Sequence, residues 1–293
     1  NYLMLSVSTM VALLDFGFTP QFSRNISYVF SGAQKLLKEG LEATNTNIIN
    51  YELLSKVIHS AKYIYGIIAF VALIIMLIPG SYYIYYVTNG FSLINYTMII
   101  WIIYSTGTFL NIYFKYYSSL LQGKGLVMES KKAIVYSRLA YIALAFGFIY
   151  LELGLLGLVL ANFIAPFISR YVCHRSFFTI EMKKSLSKYS VKRKDIMEVF
   201  RIIWPNSKKL GLVFIGSYAV QRLSVFLAGI YLPLSEIGSY GIMLQFFNLI
   251  LTVSSIIVHV YEPRFASLRQ RGENHKLLKE FALGMNIYYI SFI

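Results

Sequence analysis

Long apolar runs alternate with shorter polar ones along the whole chain. A helix needs about 20 apolar residues to cross a hydrocarbon core. By that measure the runs predict spans at 2–22, 63–80, 96–114, 133–151, 153–172, 210–231 and 238–260, with an eighth beginning near 280. Two further stretches have a helical period but are too polar to cross. Val29, Phe30, Leu36, Leu37 and Leu41 alternate with Lys35, Lys38 and Glu39, which predicts an interfacial helix inside 23–62. A second is predicted over Ile196–Trp204, stopped by Pro205. Leu151-Glu152-Leu153-Gly154 leaves room only for a tight helical hairpin, and Gly147, Gly154 and Gly157 allow close helix contact. The expected class is all-α, a polytopic transmembrane helical protein.

Composition agrees with that pattern: 57% of the 293 residues are hydrophobic and 14% charged, with a mean hydropathy of +0.60. The charge balance adds an orientation. Arg170 to Lys209 is the longest polar interruption and is strongly basic; carrying so many cations through hydrocarbon is prohibitive, so it is expected to stay cytoplasmic. Alternation then places 23–62, 115–132, 173–209 and 261–279 inside, and 81–95, residue 152 and 232–237 outside. The outer segments hold no Lys or Arg at all, and only Arg138, Arg170 and Arg222 fall inside spans. One misplaced span would invert every later loop and destroy this bias. The outer cluster Ser81-Tyr-Tyr-Ile-Tyr-Tyr86 suits a headgroup interface, where a tyrosine ring is half apolar and its hydroxyl wet. The net charge of +14 is explained by topology, with no separate basic module for a nucleic acid. Cys173, the only cysteine, cannot form an internal disulfide, and four scattered histidines offer no metal site. The chain starts without Met inside an apolar run and stops without a polar flank, and so reads as a fragment.

Several short motifs carry a resemblance. They are Leu14-Asp15-Phe16-Gly17-Phe18 with Pro20 and Arg24, Leu121-Gln122-Gly123-Lys124-Gly125, Gly154-Leu-Leu-Gly157, and Glu236-Ile-Gly238-Ser-Tyr240 with Gln245 and Pro263. In these the chain resembles polysaccharide flippases of the multidrug/oligosaccharidyl-lipid/polysaccharide exporter superfamily, most closely Wzx-type O-antigen flippases. The resemblance implies two six-helix bundles around a central cavity. On that plan 1–172 holds helices two to six of the first bundle, the first being missing. Residues 173–209 are the cytoplasmic linker, and 210–293 open the second bundle with helices seven to nine, truncated. A faint echo between Pro20-Gln-Phe-Ser23 and Pro263-Arg-Phe-Ala266 suits such a repeat. The implied activity is transfer of an undecaprenyl-pyrophosphate-linked oligosaccharide, an O-antigen or capsule repeat unit, across the bacterial inner membrane by alternating access. The implied neighbours are a polysaccharide polymerase and a chain-length regulator. No cofactor and no catalytic residue are expected.

Such a substrate needs cations for its pyrophosphate and amides or aromatic faces for its sugars. Arg222 lies about 18 Å of helix from Leu210 and about 14 Å from Tyr231. At that depth a cation costs about 2.5–3.5 kcal/mol and should face a cavity or a partner. Arg138, about 8 Å from the inner end of its span, either binds substrate or snorkels. Lys115 and Arg24, at inner helix ends, are candidates for an inner phosphate vestibule, although a basic residue is also the plain expectation there; Arg170 reads as an anchor. Asp15 is the one acid deep in a span, either a proton-coupling group or a bridge to Arg222 or Arg138. Tyr104, Asn111, Tyr113, Tyr141 and Gln245 are candidates for the sugar path, with lipid-facing packing as the default. Two other readings stay open. A drug or cation antiporter of the same fold should place acids in its cavity. A membrane-bound polymerase should carry paired carboxylates or His outside the bilayer, and the outer segment 81–95 has no charged residue.

Overall fold

The computed structural model describes residues 7–8, 11–38, 48–88, 90, 96–233, 236–252 and 274–292. Among them there are helices and turns and no strand. The chain divides into two compact units, Asn1–Ile230 and Tyr231–Ile293.

In the first unit a short 3-10 turn (Ala12–Asp15) precedes α1 (Phe18–Phe30). Then come α2 (Tyr51–Val87), α3 (Thr97–Gly123), α4 (Val127–Tyr150) and α5 (Gly154–Phe177), followed by α6 (Ile180–Leu186) and α7 (Arg193–Tyr231). The second unit holds α8 (residues 236–252) and α9 (Asn274–Phe292). Four helices, α2 to α5, are long and apolar enough to cross a membrane, at 37, 27, 24 and 24 residues. The chain is a helical membrane protein.

Local chemistry sets these boundaries. The Asn50 side chain accepts from the Leu53 amide at 3.0 Å and starts α2. A π turn over Met76–Gly80 absorbs Pro79, which has no N–H to donate, and the helix resumes through Ser81–Val87. The tyrosine cluster is therefore helical rather than loop, with Tyr82, Tyr85 and Tyr86 exposed. At the end of α3, Gly125 takes a left-handed φ of 84°, and the Leu126 amide closes back on the Leu121 carbonyl at 2.8 Å. At the predicted hairpin, Glu152 (φ 59°) makes the turn and the Leu153 amide donates to the Phe148 carbonyl.

Several expectations are corrected. The span predicted at 2–22 breaks at Phe16 (φ 47°) and Gly17 (φ 76°). The interfacial helix predicted through Leu36 and Leu37 ends at Phe30. Gly32 (φ 95°) turns the chain, and the Ala33 amide donates to the Tyr28 carbonyl; Leu41 lies outside the described residues. Pro205 does not stop its helix, and α7 runs on for 39 residues. Ile203 and Ser207 are buried on one face of α7 while Pro205 sits on the exposed face, where a lost backbone bond is replaced by solvent. Of the three glycines expected at close contacts, a Cβ on Gly157 would come within 2.6 Å of the Phe148 Cβ, but on Gly147 or Gly154 it would meet nothing within 4 Å. The eighth apolar helix begins at Asn274, earlier than expected. The echo at Pro263–Ala266 lies outside the described residues.

Segments expected on one side of the membrane meet one another. Lys56 lies 3.5 Å from Asp195, the Asn206 amide donates to the Lys38 carbonyl at 2.7 Å, and Lys124 lies over the Phe177 ring at 5.4 Å. At the opposite end the Trp101 indole donates to the Ser81 hydroxyl at 2.9 Å. The backbone N–H of Lys192 on its carboxylate holds Asp195 below the usual carboxylate range, with Lys56 adding to the effect. Burial lowers Lys124 below an ordinary lysine.

The break before α1 is locked against α7. Phe16 and Phe18 stack on Trp204 at 5.9 and 6.0 Å, and Phe18 stacks on Phe200 at 6.2 Å. A Cβ on Gly17 would lie 2.6 Å from the Leu210 Cβ, and one on Gly211 would overlap the Phe16 ring. Gly211→Ala should therefore destabilise the protein by about 1–3 kcal/mol. Thermal unfolding in detergent should show a lowered midpoint, whereas Gly216→Ala, where the added carbon meets nothing within 4 Å, should not lower it; equal midpoints for the two variants contradict this packing.

Candidate substrate cavity

The site begins at the helix break. Phe16 and Gly17 both adopt left-handed backbone, which ends the 3-10 turn and lets α1 start afresh with its amides exposed. Asp15 covers them: its carboxylate accepts from the Thr19 amide at 3.3 Å and the Thr19 hydroxyl at 2.7 Å. A carboxylate there also meets the positive end of the α1 dipole. Two distant helices complete its shell. Tyr65 of α2 donates its hydroxyl at 2.9 Å, and the Lys115 Nζ of α3 donates at 2.8 Å. Asp15 is 7% exposed, so a carboxylate without these donors would carry a large desolvation penalty.

Lys115 is thus the partner of Asp15, in place of the arginines expected from the sequence. Nor is it at a helix end: α3 continues to Gly123, two turns further. The pair lies in the wall of a cavity of about 520 Å³ between the break, α3, α4 and α5. Arg138, Tyr104, Asn111 and Tyr141 line the same cavity. Sequence reasoning missed Ser8, Thr108, Ser137, Asn162 and Ser169, which add hydroxyls and an amide. Small polar residues recurring on apolar helices are the only signal for them, and such residues equally serve helix packing.

Packing explains the opening. Gly107 lets α5 approach, since a Cβ there would lie 3.4 Å from the Phe163 Cα. The Ser137 hydroxyl donates to the Ala165 carbonyl at 2.8 Å and ties α4 to α5. Pro166 has no N–H for the Asn162 carbonyl one turn earlier, and both residues line the cavity. Tyr104 shares a 2.8 Å hydrogen bond with Ser8. The lining therefore sets two cations, hydroxyls and amides among apolar side chains in the middle of apolar helices.

Other predicted residues lie elsewhere. Arg24 sits on α1 with its guanidinium 5.8 Å from the Tyr28 ring centroid, its Nε buried without a hydrogen-bond partner, and is not among the cavity-lining residues. Tyr113 stacks on Phe109 at 6.3 Å and lies 3.8 Å from a Cβ built on Gly66, toward α2. Arg170 covers the Phe114 ring at 4.9 Å. Arg222 falls within α7, but its side chain lies outside the described residues, and Gln245 belongs to the second unit. Comparison with protein-family models, curated proteins and solved structures finds no match for this chain.

The Asp15–Lys115 bond gives a direct test. Lys115→Met leaves the carboxylate short of its cation; because the lysine side chain is 40% exposed, the loss should be about 1.5–3 kcal/mol, below that of a fully buried pair. Asp15→Asn combined with Lys115→Met should recover part of the loss. Chemical unfolding in detergent micelles measures the cycle, and additive single and double effects contradict the pairing.

Proposed function

We propose that this protein moves a lipid-linked oligosaccharide bearing a pyrophosphate from the cytoplasmic to the outer leaflet of a bacterial inner membrane. The observation that carries the reading is a cavity that holds Lys115 and Arg138 beside Tyr104, Tyr141 and the amides Asn111 and Asn162. The two cations suit the pyrophosphate through charge-assisted hydrogen bonds, while hydroxyls, amides and ring faces suit sugars. At about 520 Å³ the cavity falls in the range of small-molecule sites, room for the pyrophosphate and the first sugar, with the polyprenyl tail left in lipid.

The resemblance to Wzx-type flippases extends this to two six-helix bundles, 1–172 and 210–293, joined by 173–209, with Arg222 as a further cation. A polymerase and a chain-length regulator would then take up the product. An antiporter for cationic drugs is the weaker reading, because Asp15, the one acid among the described lining residues, is already bound by Lys115, and Arg138 adds a second cation.

The same pair offers a coupling step. The Thr19 and Tyr65 hydroxyls both donate to Asp15, and their oxygens also lie 2.6 Å apart, so two hydroxyl protons serve three contacts. A proton taken up by Asp15 supplies the third and weakens its hold on Lys115, which then turns to the phosphate. Loss of that proton returns Lys115 to Asp15 and releases the anion.

In cells producing full-length variants at wild-type level, Arg138→Ala and Arg222→Ala should each cut surface polysaccharide by roughly 10-fold or more, the worth of one charge-assisted contact. Lipid-linked repeat units should accumulate on the inner leaflet, and Asp15→Asn should flatten the pH dependence of export. Full complementation by both arginine variants contradicts the proposal.

A further inference from the structure

A second cationic cleft lies outside the cavity, at the basic end of α5. It has a volume of about 610 Å³, and its cations are Arg170, Arg175 and Lys183, with His174 beside them; among the described residues no Asp or Glu lines it. A neighbouring cleft of about 390 Å³ shares His174, Phe178 and Lys183 and adds Lys62 and His59. Phe167, Arg170, Tyr171, His174, Arg175 and Phe178 follow the period of one helical face. Along that face the chemistry grades from apolar to cationic over about 12 Å, from Phe167 to Arg175. Phe167, Tyr171 and Ile180 are large, apolar and exposed, Ile180 at 88%. The Arg170 guanidinium is steadied by the Phe114 ring at 4.9 Å, and the His174 ring by Phe178 at 5.0 Å.

This gradient matches a membrane lipid seen from the side, with acyl chain beside Phe167 and phosphate beside Arg175 and Lys183. We propose that the cleft binds the headgroup of an anionic phospholipid, entering laterally from the bilayer. The chemistry it recognises is a phosphodiester attached to an acyl chain, and basic pockets between membrane helices have that specificity. A lipid there would brace the α5–α6 junction. The site is separate from the Asp15–Lys115 cavity, and its failure leaves the transport reading untouched.

The test uses the full chain released into detergent, with native mass spectrometry reading the fraction that retains one lipid. Phosphatidylglycerol should bind and phosphatidylcholine should not. Arg175→Gln with Lys183→Gln alters two exposed residues and so should not disturb folding; it should weaken phosphatidylglycerol binding roughly 30-fold, at the ordinary strength of two cations near a lipid surface. Lys184→Gln with Lys188→Gln removes two exposed cations of the same segment that do not line the cleft, and should leave binding unchanged. Equal weakening by both double variants, equal binding of the two lipids, or full displacement by millimolar inorganic phosphate would each overturn the proposal.

Discussion

A carboxylate enclosed by apolar helices must find donors, and the organisation of this bundle follows from how Asp15 finds them. Its four donors come from the helix start it caps, from α2 and from α3. To present that carboxylate, the backbone has to leave helical geometry at Phe16 and Gly17. The break then needs a neighbour without side chains, which Gly211 supplies while Phe16, Phe18, Phe200 and Trp204 stack around it. One buried charge thereby couples the first apolar segment, two membrane-crossing helices and the long helix α7.

The cavity is a consequence of the same arrangement. The break before α1 puts Asp15 on the cavity wall, which Lys115 and Arg138 share with hydroxyls, amides and apolar side chains. Each of the polar groups is costly in hydrocarbon, which favours a hydrated wall over a lipid-filled gap. The outer face of α4 shows the contrast: Leu139 and Phe146 are 57% and 71% exposed, surfaces whose natural medium is acyl chain.

The helical class and the crossing helices were legible because hydropathy over about 20 residues is a long-range average that local detail does not disturb. Asp15 and Arg138 were legible as charges inside apolar spans, whereas Lys115 read equally as an ordinary helix-end cation and Tyr104, Asn111 and Tyr141 as ordinary packing; the fold brings all six to one cavity. What stood between them was not. Thr19 and Tyr65 complete the carboxylate shell, yet a threonine and a tyrosine in a chain with 25 tyrosines carry no distinguishing mark. The break was readable in principle: Asp15 two positions before Gly17 combines a capping side chain with a residue free to turn left-handed, but the apolar run around it pointed to one unbroken span. Pro205 misled in the other direction, since a proline stops a helix only where the rest of the helix lacks anchors.

Transport by the proposed route requires a water-filled chamber inside the bundle, and accessibility of its wall measures that directly. In a background where the sole cysteine is replaced (Cys173→Ser), Thr108→Cys and Ser169→Cys place thiols on the lining, and Leu139→Cys places one on the exposed face of α4. In sealed vesicles a membrane-impermeant, charged thiol reagent should modify the two lining positions and leave residue 139 unreacted. Protection of all three positions, or reaction at residue 139 alone, would contradict the existence of the chamber.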